Sequence, residues 1–334
     1  MKNVKMKDLA NMAGVSTATV SRALAGSPLV NPRTRRDILR LARENGYKQL
    51  ISAEPGAGSN MRFNIVVPRP QGRLGWLDDA FFLELLGGIG QAAHTYDCDF
   101  VVSHIVPRTM DDLMQLNDEE GYQGTIFLGQ SSLHNMLNRM ADISNSFIAW
   151  GAELPGQRYC SVGSNNVKGG EKATRHLARL GRRRIAFLGN REAPEVQQRY
   201  EGYVKALSNE GIDFDPDLVI TAPFEIESSS SITRSIFERH RDIDAIFASS
   251  DTIAIGVISG LQAMGIEVPK QVSVVGYDDI FMSRFVSPPL STIRQDFAAA
   301  GRLIISKLLH LSSGEQMVSE RLPTEIVVRN SCGA

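Results

Sequence analysis

The sequence predicts an α/β protein with an N-terminal, three-helix helix-turn-helix headpiece and a two-lobed body built on Rossmann-like parallel sheets. Three observations predict this fold. The first 48 residues carry three helical patterns and many cations, apolar strand patterns alternate with helical patterns from residue 61, and the alternation begins again near residue 184. A chain of 334 residues is also too long for one simple hydrophobic core. We therefore predict a headpiece at 1–48, a linker or degenerate hinge at 49–60 and a body at 61–334.

The net charge of −1 hides a contrast along the chain. Residues 1–48 contain ten Lys or Arg and three acidic residues, whereas the rest of the chain contains 26 basic and 34 acidic side chains. A basic segment on an acidic body is expected when only that segment contacts a polyanion. No apolar run is long enough to span a bilayer or to form a signal-peptide core, which predicts a cytoplasmic protein. Three widely spaced cysteines predict reduced thiols.

Three short helices are predicted in the headpiece. Apolar residues at helical spacing over 6–13 mark the first helix. Gly14 permits a tight turn, and Ser16 is placed to cap a second helix. Asn31 can cap a third helix, which Gly46 can end. Two helices joined by a turn that contains glycine are typical of a helix-turn-helix unit.

Apolar runs in the body predict the strands of two similar sheets. They lie at 63–68, 99–106, 124–129 and 146–151, and then at 184–190, 218–224, 244–250 and 272–279. Helical patterns separate these runs, which indicates parallel sheets with helices on both faces. We predict one lobe at about 61–162 with 292–320 and another at about 163–291 with 321–334. Ligands of such sheets bind beyond the carboxyl ends of the strands, where the two lobes would form a cleft.

The headpiece sequence resembles that of the LacI/GalR family of bacterial transcription regulators. The matching motifs are D-L-A, A-G-V-S, T-V-S-R-A-L, V-N-P-x-T-R and N-G-Y. The resemblance implies that Thr17, Ala18 and Arg22 read bases from the second helix. It also implies that four residues contact phosphates or fix docking, namely Ser16, Thr19, Ser21 and Asn31. A bidentate Arg–guanine pair contributes about 1–3 kcal/mol of discrimination, which makes Arg22 the main candidate.

The body resembles the effector-binding and dimerisation domain of the same family, which has a periplasmic-binding-protein-like fold. Matching motifs include G-G-x-x-A-T-x-H-L, S-V-V-G-Y-D-D and P-P-L-S-T-I-R-Q-D. The resemblance implies that Arg199 clamps ligand hydroxyls, that Asp278 accepts hydrogen bonds from them and that Phe224 stacks on the ligand. Further effector-binding residues implied are Phe81, Phe82, Gln130, Trp150, Glu195, Ser250 and Phe297. A guanidinium, a carboxylate and aromatic rings suit a sugar.

Two segments depart from the family pattern. The family has a short hinge helix after the headpiece, whereas Pro55 and Gly56 disfavour a helix here and favour a flexible linker. A longer loop at 69–79 replaces a short turn and places Trp76, Asp78 and Asp79 near the expected cleft.

The function implied is a repressor of carbohydrate-use genes whose binding to palindromic operator DNA is controlled by a sugar or sugar derivative. Each headpiece contacts one half-site, so a homodimer is expected, with helices around 81–96 and 109–117 at its interface. Two alternatives stay open. The same fold could sense a nucleobase or another non-sugar metabolite, or the chain could be a sugar-binding protein without a DNA function.

An enzyme is not predicted, and neither a cofactor nor a metal ion is expected. The segment 88–93 fits the dinucleotide pattern G-x-G-x-x-A, but it lies inside a predicted helix instead of between a strand and a helix. The six histidines show no metal-ligand spacing, and no serine lies in a G-x-S-x-G turn.

Overall fold

A computed structural model describes residues 6–24, 30, 31, 34, 38, 41, 61–68, 79–103, 105–117, 121–130 and 133–334. The chain forms two compact units, residues 1–62 with 93–100 and residues 63–92 with 101–334.

The headpiece contains α1 (Met6–Ala13) and α2 (Thr17–Leu24), as the apolar spacing predicts. Gly14 joins them with a φ of 65°, a conformation that glycine adopts at little cost. The small core buries Leu9, Ala10, Val20, Ala23, Val30 and Ile38. The ends of the predicted third helix and the whole linker at 49–60 lie outside the described residues.

The first half of the body alternates strands and helices. Its elements are β1 (Met61–Val66), α3 (Ala80–Thr95), β2 (Cys98–Ser103), α4 (Met110–Asn117), β3 (Gly124–Leu128), α5 (His134–Met140), β4 (Phe147–Trp150) and β5 (Ser161–Ser164). All residues of β3, β4 and β5 are buried. Continuous burial is expected of parallel strands that are covered on both faces.

The second half repeats the same alternation. Its elements are α6 (Asn166–Arg179), β6 (Ile185–Leu188), α7 (Pro194–Asn209), β7 (Val219–Ile220), α8 (Ile226–Arg239), β8 (Ala245–Ala248), α9 (Asp251–Ala263), β9 (Ser273–Asp278) and β10 (Ser291–Arg294). The C-terminal elements are α10 (Phe297–Ser312), β11 (Glu320–Leu322) and β12 (Glu325–Val327).

The strands form two six-stranded sheets, which define lobe 1 and lobe 2. The order in lobe 1 is β11-β5-β4-β3-β1-β2, and the order in lobe 2 is β12-β10-β9-β8-β6-β7. The strand pairs of lobe 2 are parallel except for β12, which runs antiparallel to β10 at the edge of the sheet. The α/β fold with two lobes is confirmed, with this edge strand as an addition.

The chain passes between the lobes three times. It leaves lobe 1 after β5, returns after β10 to form α10 against β3, β4 and β5, and crosses again between β11 and β12. Each lobe is therefore completed by a strand from the last part of the described chain.

The first glycine of the G-x-G-x-x-A pattern serves helix packing. Gly88 and Gly90 lie inside α3, as predicted. A Cβ on Gly88 would lie 2.1 Å from the backbone oxygen of Phe297, and a Cβ on Gly301 would lie 2.1 Å from the backbone oxygen of Gly88. Gly88 and Gly301 therefore let α3 and α10 approach closely, which gives Gly88 a packing role.

Candidate functional site

A cavity of about 150 Å³ lies where strands of the two lobes end. It collects nine of the ten residues predicted to bind the effector, namely Phe81, Phe82, Gln130, Trp150, Glu195, Arg199, Phe224, Ser250 and Asp278. Gln130 and Trp150 come from the ends of β3 and β4 in lobe 1, and Ser250 and Asp278 come from the ends of β8 and β9 in lobe 2. The carboxyl-end rule therefore located the cavity correctly.

Phe297 is the predicted site residue that is not in the lining of this cavity. Its ring packs edge-on against Phe81, with centroids 5.6 Å apart. Phe81 in turn contacts Phe82 at 5.3 Å and Trp150 at 6.4 Å between centroids. Phe297 thus supports the aromatic wall from behind. Asn190, another polar residue after a strand, is also absent from the lining.

Arg199 is held rigidly on α7. Its Nε donates to Asn166 Oδ1 at 2.9 Å, and its Nη1 donates to the backbone oxygen of Ser249 at 2.6 Å. The guanidinium lies over the ring of Tyr277, 3.7 Å from the centroid, as in a cation–π contact. The side chain is buried, so these contacts fix its position before any ligand binds.

Close packing of α6 against α7 places Arg199. A Cβ on Gly170 would lie 2.0 Å from the backbone oxygen of Arg199, and a Cβ on Gly202 would lie 2.1 Å from the backbone oxygen of Val167. Only glycine leaves room for this approach. The G-G motif at 169–170 is therefore a packing motif that positions the guanidinium.

Asp278 ends β9 in a strained conformation, with a φ of 119°. Its Oδ1 accepts from Gln295 Nε2 at 2.7 Å and lies 3.7 Å from Arg199 Nη1. Burial raises the pKa of Asp278 to about 7, because the favourable effects of Arg199 and Gln295 on the charged form do not offset desolvation. The cavity therefore contains a carboxyl group that titrates near neutral pH.

A second carboxyl group lies deeper, at the start of α9. Asp251 is fully buried; its Oδ1 accepts from Thr292 Oγ1 at 2.5 Å and its Oδ2 accepts from the backbone N–H of Ile280 at 3.0 Å. Burial, reinforced by the negative charge of Asp278, raises the pKa of Asp251 well above its ordinary value. Asp251 braces the loop after β9 and is not in the lining of the cavity.

Asp279 stabilises the turn that follows β9. It accepts from Arg294 Nε at 2.7 Å and from Arg329 Nη2 at 2.5 Å. Burial opposes its ionisation, but hydrogen bonds from Arg329 and Arg294 outweigh burial and lower its pKa. These ion pairs hold the turn that presents Asp278 to the cavity.

Two predicted side chains meet at the backbone of Ala152 in lobe 1. Gln130 Nε2 donates to the Ala152 oxygen at 2.6 Å, and Glu195 Oε1, from lobe 2, accepts from the Ala152 N–H at 3.2 Å. A second contact joins the lobes where the backbone N–H of Phe281 donates to Glu84 Oε1. The lobes are therefore connected by hydrogen bonds on two sides.

Sequence reasoning missed two residues that organise the site. Gln295 bonds to Asp278 and to Ser164, and Asn166 fixes Arg199. Both lie within two residues of a strand end, so the rule that selected Gln130 could have found them had the short strands β5 and β10 been recognised. Asp79, noted in the longer loop, lines the cavity and accepts from the N–H of Phe81 at 3.0 Å. Trp76 and Asp78 lie outside the described residues.

The predicted DNA-contacting residues gather around the start of α2. Ser16, Thr17, Ala18 and Ser21 are exposed there, and Thr19 is half-buried. Ser16 Oγ accepts from the Thr19 N–H at 3.1 Å, which is the predicted N-cap. Asn31 is also exposed. The backbone of Arg22 lies in α2, but its side chain is outside the described part of the structure.

In the described ranges, no group of three or more His, Cys, Asp or Glu side chains is placed to hold a metal ion. Cys98, Cys160 and Cys332 are free and buried. No described helix combines the length and the hydropathy that a membrane crossing requires.

Comparisons with known proteins agree with both parts of the chain. Residues 5–49 match the family model of bacterial regulatory proteins of the lacI family, and residues 174–332 match the periplasmic binding protein-like domain. The probable HTH-type transcriptional repressor ExuR of Bacillus subtilis (strain 168) is 28% identical and covers 98% of both chains. The ribose operon repressor of Haemophilus influenzae is 29% identical over 91% of this chain and 90% of its own.

A solved structure of a transcriptional regulator CelR–cellobiose complex is similar over the whole length. It is 28% identical, with a TM-score of 0.70, and the match covers 98% of this chain and 100% of that one. The resemblance inferred from the headpiece and body motifs is confirmed. The chain therefore combines a helix-turn-helix domain of the lacI family of bacterial regulatory proteins with a periplasmic-binding-protein-like domain.

Proposed function

We propose that this chain is a sequence-specific DNA-binding transcription regulator that represses carbohydrate-use genes, with operator binding controlled by a sugar or sugar derivative. One observation carries the sugar assignment. Arg199 and Asp278 lie on the lobe 2 side of a cavity whose lobe 1 side is walled by Phe81, Phe82 and Trp150. Polar groups that bind hydroxyls therefore oppose rings that can cover the apolar face of a sugar.

The size of the cavity supports a ligand with one ring. Its volume is about 150 Å³. In another protein, a cavity of about 150 Å³ holds one benzene molecule. A monosaccharide-sized ligand is therefore favoured over a longer oligosaccharide in this arrangement of the lobes.

The headpiece supports the DNA part of the proposal. Helix α2 exposes small and polar side chains at its first turns, the part of a recognition helix that contacts base edges. The ten basic residues within 1–48 supply the charge for phosphate contacts. In this proposal Thr17, Ala18 and Arg22 read bases, while Ser16, Thr19, Ser21 and Asn31 contact phosphates or fix docking.

We propose a binding protein and not an enzyme, in the cytoplasm where bacterial DNA is accessible. The relatives named above are transcriptional repressors and a regulator, which supports this assignment. The two carboxyl groups whose pKa values are raised also have structural partners. Asp278 accepts from Gln295, and Asp251 accepts from Thr292 and Ile280.

A homodimer is part of the proposal, because one headpiece contacts only one half-site of a palindromic operator. Helices α3 and α4 are the proposed interface. On α3, the side chain of Leu83 is 52% exposed and would be covered at this interface. Leu83→Glu should lower the molar mass measured by sedimentation from dimer to monomer, and a Leu83→Glu dimer would refute this interface.

We propose that the effector acts by favouring one arrangement of the lobes. A ligand shifts such an equilibrium only through its different affinity for the two states. Glu195 and Gln130 both bond to Ala152 beside the cavity, so a ligand that engages either side chain also affects the contact between lobes. Release of DNA by the sugar is the expected direction.

Selection of DNA from a random duplex pool, with and without a panel of monosaccharides, tests the proposal. The expected result is an enriched palindrome that one sugar elutes from the protein. No enriched sequence under any condition would refute the regulator and favour a sugar-binding protein without a DNA function. An enriched palindrome that only a nucleobase elutes would keep the regulator and replace the sugar.

A further inference from the structure

The described lining of the cavity carries more negative than positive charge. Asp79, Glu195 and Asp278 supply three carboxyl groups, against one guanidinium from Arg199. A neutral sugar needs hydrogen-bond donors and acceptors in similar measure, whereas charges of one sign favour a ligand of the opposite sign.

Contacts within the protein already occupy much of the hydrogen-bonding capacity of the Arg199 guanidinium. Arg199 donates to Asn166 and to the Ser249 backbone, and its face is covered by the ring of Tyr277. Asp278 lies 3.7 Å away, which is an ion pair without a hydrogen bond. Of the charged groups in the described lining, the carboxyl groups of Glu195 and Asp278 are therefore better placed than the guanidinium to receive new hydrogen bonds.

Besides the carboxyl groups, the cavity contains a buried hydrogen-bond acceptor. Gln130 is fully buried, and the Ala152 oxygen fixes the direction of its amide by accepting from Nε2 at 2.6 Å. Gln130 Oε1 consequently has no donor among the described residues. An unpaired buried acceptor is destabilising, so a ligand that donates to it is favoured.

Gln130 and Glu195 present their acceptors to the same region. A Cβ on Gly151 would lie 2.7 Å from Gln130 Oε1 and 2.9 Å from Glu195 Oε1. Among the described residues, the Glu195 carboxylate accepts one weak hydrogen bond, at 3.2 Å from the Ala152 N–H. The two oxygens are thus within reach of one donor group with several hydrogens.

The aromatic rings of the cavity also favour a cationic ligand. Phe81, Phe82 and Trp150 line the same cavity, and the π faces of such rings attract cations. Aromatic rings combined with carboxylates are a general means of recognising ammonium groups. The wall and the acceptors therefore favour the same ligand chemistry.

We propose that the effector is a sugar-sized ring that carries a protonated amine, an amino sugar in chemical class, with the ammonium near Glu195 and Gln130. This inference rests on the proposed sugar-sensing function and specifies its ligand. Neutral sugars leave Gln130 Oε1 and the carboxylates with fewer or weaker donors. Uronates and sugar phosphates place a further negative charge beside three carboxyl groups.

The titration of Asp278 is consistent with this assignment. Burial raises the pKa of Asp278 to about 7. A nearby ammonium stabilises the charged carboxylate, so Asp278 would ionise when such a ligand binds.

The test is calorimetric titration of the full-length protein with matched sets of sugars. Each set contains one hexose, its 2-amino form, the N-acetylated amine and the corresponding uronate, for the gluco, galacto and manno series. We expect one 2-amino sugar to bind about tenfold or more tightly than its parent and its N-acetyl form, the effect of one charge-assisted hydrogen bond. The uronates should show no heat of binding.

A variant pair locates the ammonium. Glu195→Gln keeps an oxygen acceptor for Ala152 but removes the charge, so it should weaken the amino sugar about tenfold more than it weakens the neutral parent. Glu192→Gln removes an exposed charge near the start of the same helix, outside the cavity lining, and should change neither affinity.

The failures are distinguishable. A neutral hexose that binds as tightly as its amino form, or a uronate that binds, would overturn the amine while the sugar sensor stands. A panel in which no sugar of any charge binds would overturn both proposals. Equal losses in Glu195→Gln and Glu192→Gln would exclude Glu195 as the partner of the ammonium.

Discussion

Arg199 Nη1 lies 3.7 Å from Asp278 Oδ1, beyond hydrogen-bond distance, although both side chains are more than nine-tenths buried. Each residue instead uses other partners: Arg199 bonds to Asn166 and Ser249, and Asp278 bonds to Gln295. The two groups are held apart by the scaffold. A ligand hydroxyl can therefore interact with both without first breaking a bond between them.

Arg199→Lys tests this arrangement. Lysine has a single nitrogen in place of the separate Nε and Nη1 donors and no planar group to cover Tyr277, so the ligand response should be lost and the free energy of unfolding should fall by about 1–3 kcal/mol. Thermal melting with and without effector measures both quantities, and operator affinity should be unchanged. Arg234→Lys, on the exposed face of α8, is the matched control. A full ligand response in Arg199→Lys would contradict the clamp.

The glycine packing of α6 and α7 gives a second prediction. Gly170→Ala places a methyl group 2.0 Å from the Arg199 backbone oxygen, which should destabilise the protein by about 1–3 kcal/mol and weaken effector binding. Gly260→Ala, where the methyl would lie 2.7 Å from the Ser230 oxygen, should also lower the melting temperature. Only Gly170→Ala should reduce affinity, because only that contact moves Arg199. Equal affinity losses in both variants would refute this role.

The raised pKa of Asp278 predicts a pH dependence of stability. The folded chain holds this proton more tightly than the unfolded chain, because burial raises the pKa of Asp278 to about 7. The stabilisation is complete below the ordinary Asp range and is lost as pH rises through about 7. Arg199 and Gln295 favour the charged carboxylate, whereas Asp79 opposes it, and the buried Asp251 is coupled to it by charge.

Asp278→Asn removes this dependence. Without ligand, the melting temperature of Asp278→Asn minus that of the natural protein should increase from about pH 5 to about pH 8. Asp217→Asn, an exposed carboxylate before β7, should give a difference that is constant over the same range. A constant difference for Asp278→Asn as well would show that Asp278 does not titrate there.

The proposed reading of DNA gives a fourth prediction. Arg22→Gln should remove about 1–3 kcal/mol of discrimination between the operator and sequences changed at one base pair. Lys7→Gln makes the same charge change at an exposed position of α1 and should weaken all sequences alike. Fluorescence anisotropy with a set of single-base operator variants separates the two effects. If Arg22→Gln weakens binding to all sequences alike, Arg22 contacts a phosphate and not a base.

Long apolar runs made much of the fold predictable. The run at 124–129 became β3, all of whose residues are buried, and the polar residue that follows it lines the cavity. The helical spacing over 6–13 became α1 with Leu9 and Ala10 in the core. In these segments the hydrophobic pattern, the length and the position of polar residues all indicate the same structure.

Short polar strands were not predictable in the same way. β5 reads Ser-Val-Gly-Ser and β10 reads Ser-Thr-Ile-Arg, so an apolar pattern does not mark them. Their hydroxyl groups are buried because distant residues bond to them: Thr292 donates to Asp251, and Ser164 donates to Gln295. Thr292 and Asp251 are 41 residues apart in the sequence, and Ser164 and Gln295 are 131 residues apart. A local sequence pattern carries no information over such separations.

The three passages between the lobes have a consequence for synthesis of the chain. Lobe 1 lacks an edge strand until residues 320–322 are made, and lobe 2 lacks one until residues 325–327 are made. Ser331 then bonds to the backbone of Val274 inside lobe 2. A ribosome-bound chain can complete its headpiece early, but the sheet of lobe 1 is incomplete until Leu322 emerges and that of lobe 2 until Val327 emerges. The DNA-binding headpiece can therefore fold before the effector-binding lobes are complete.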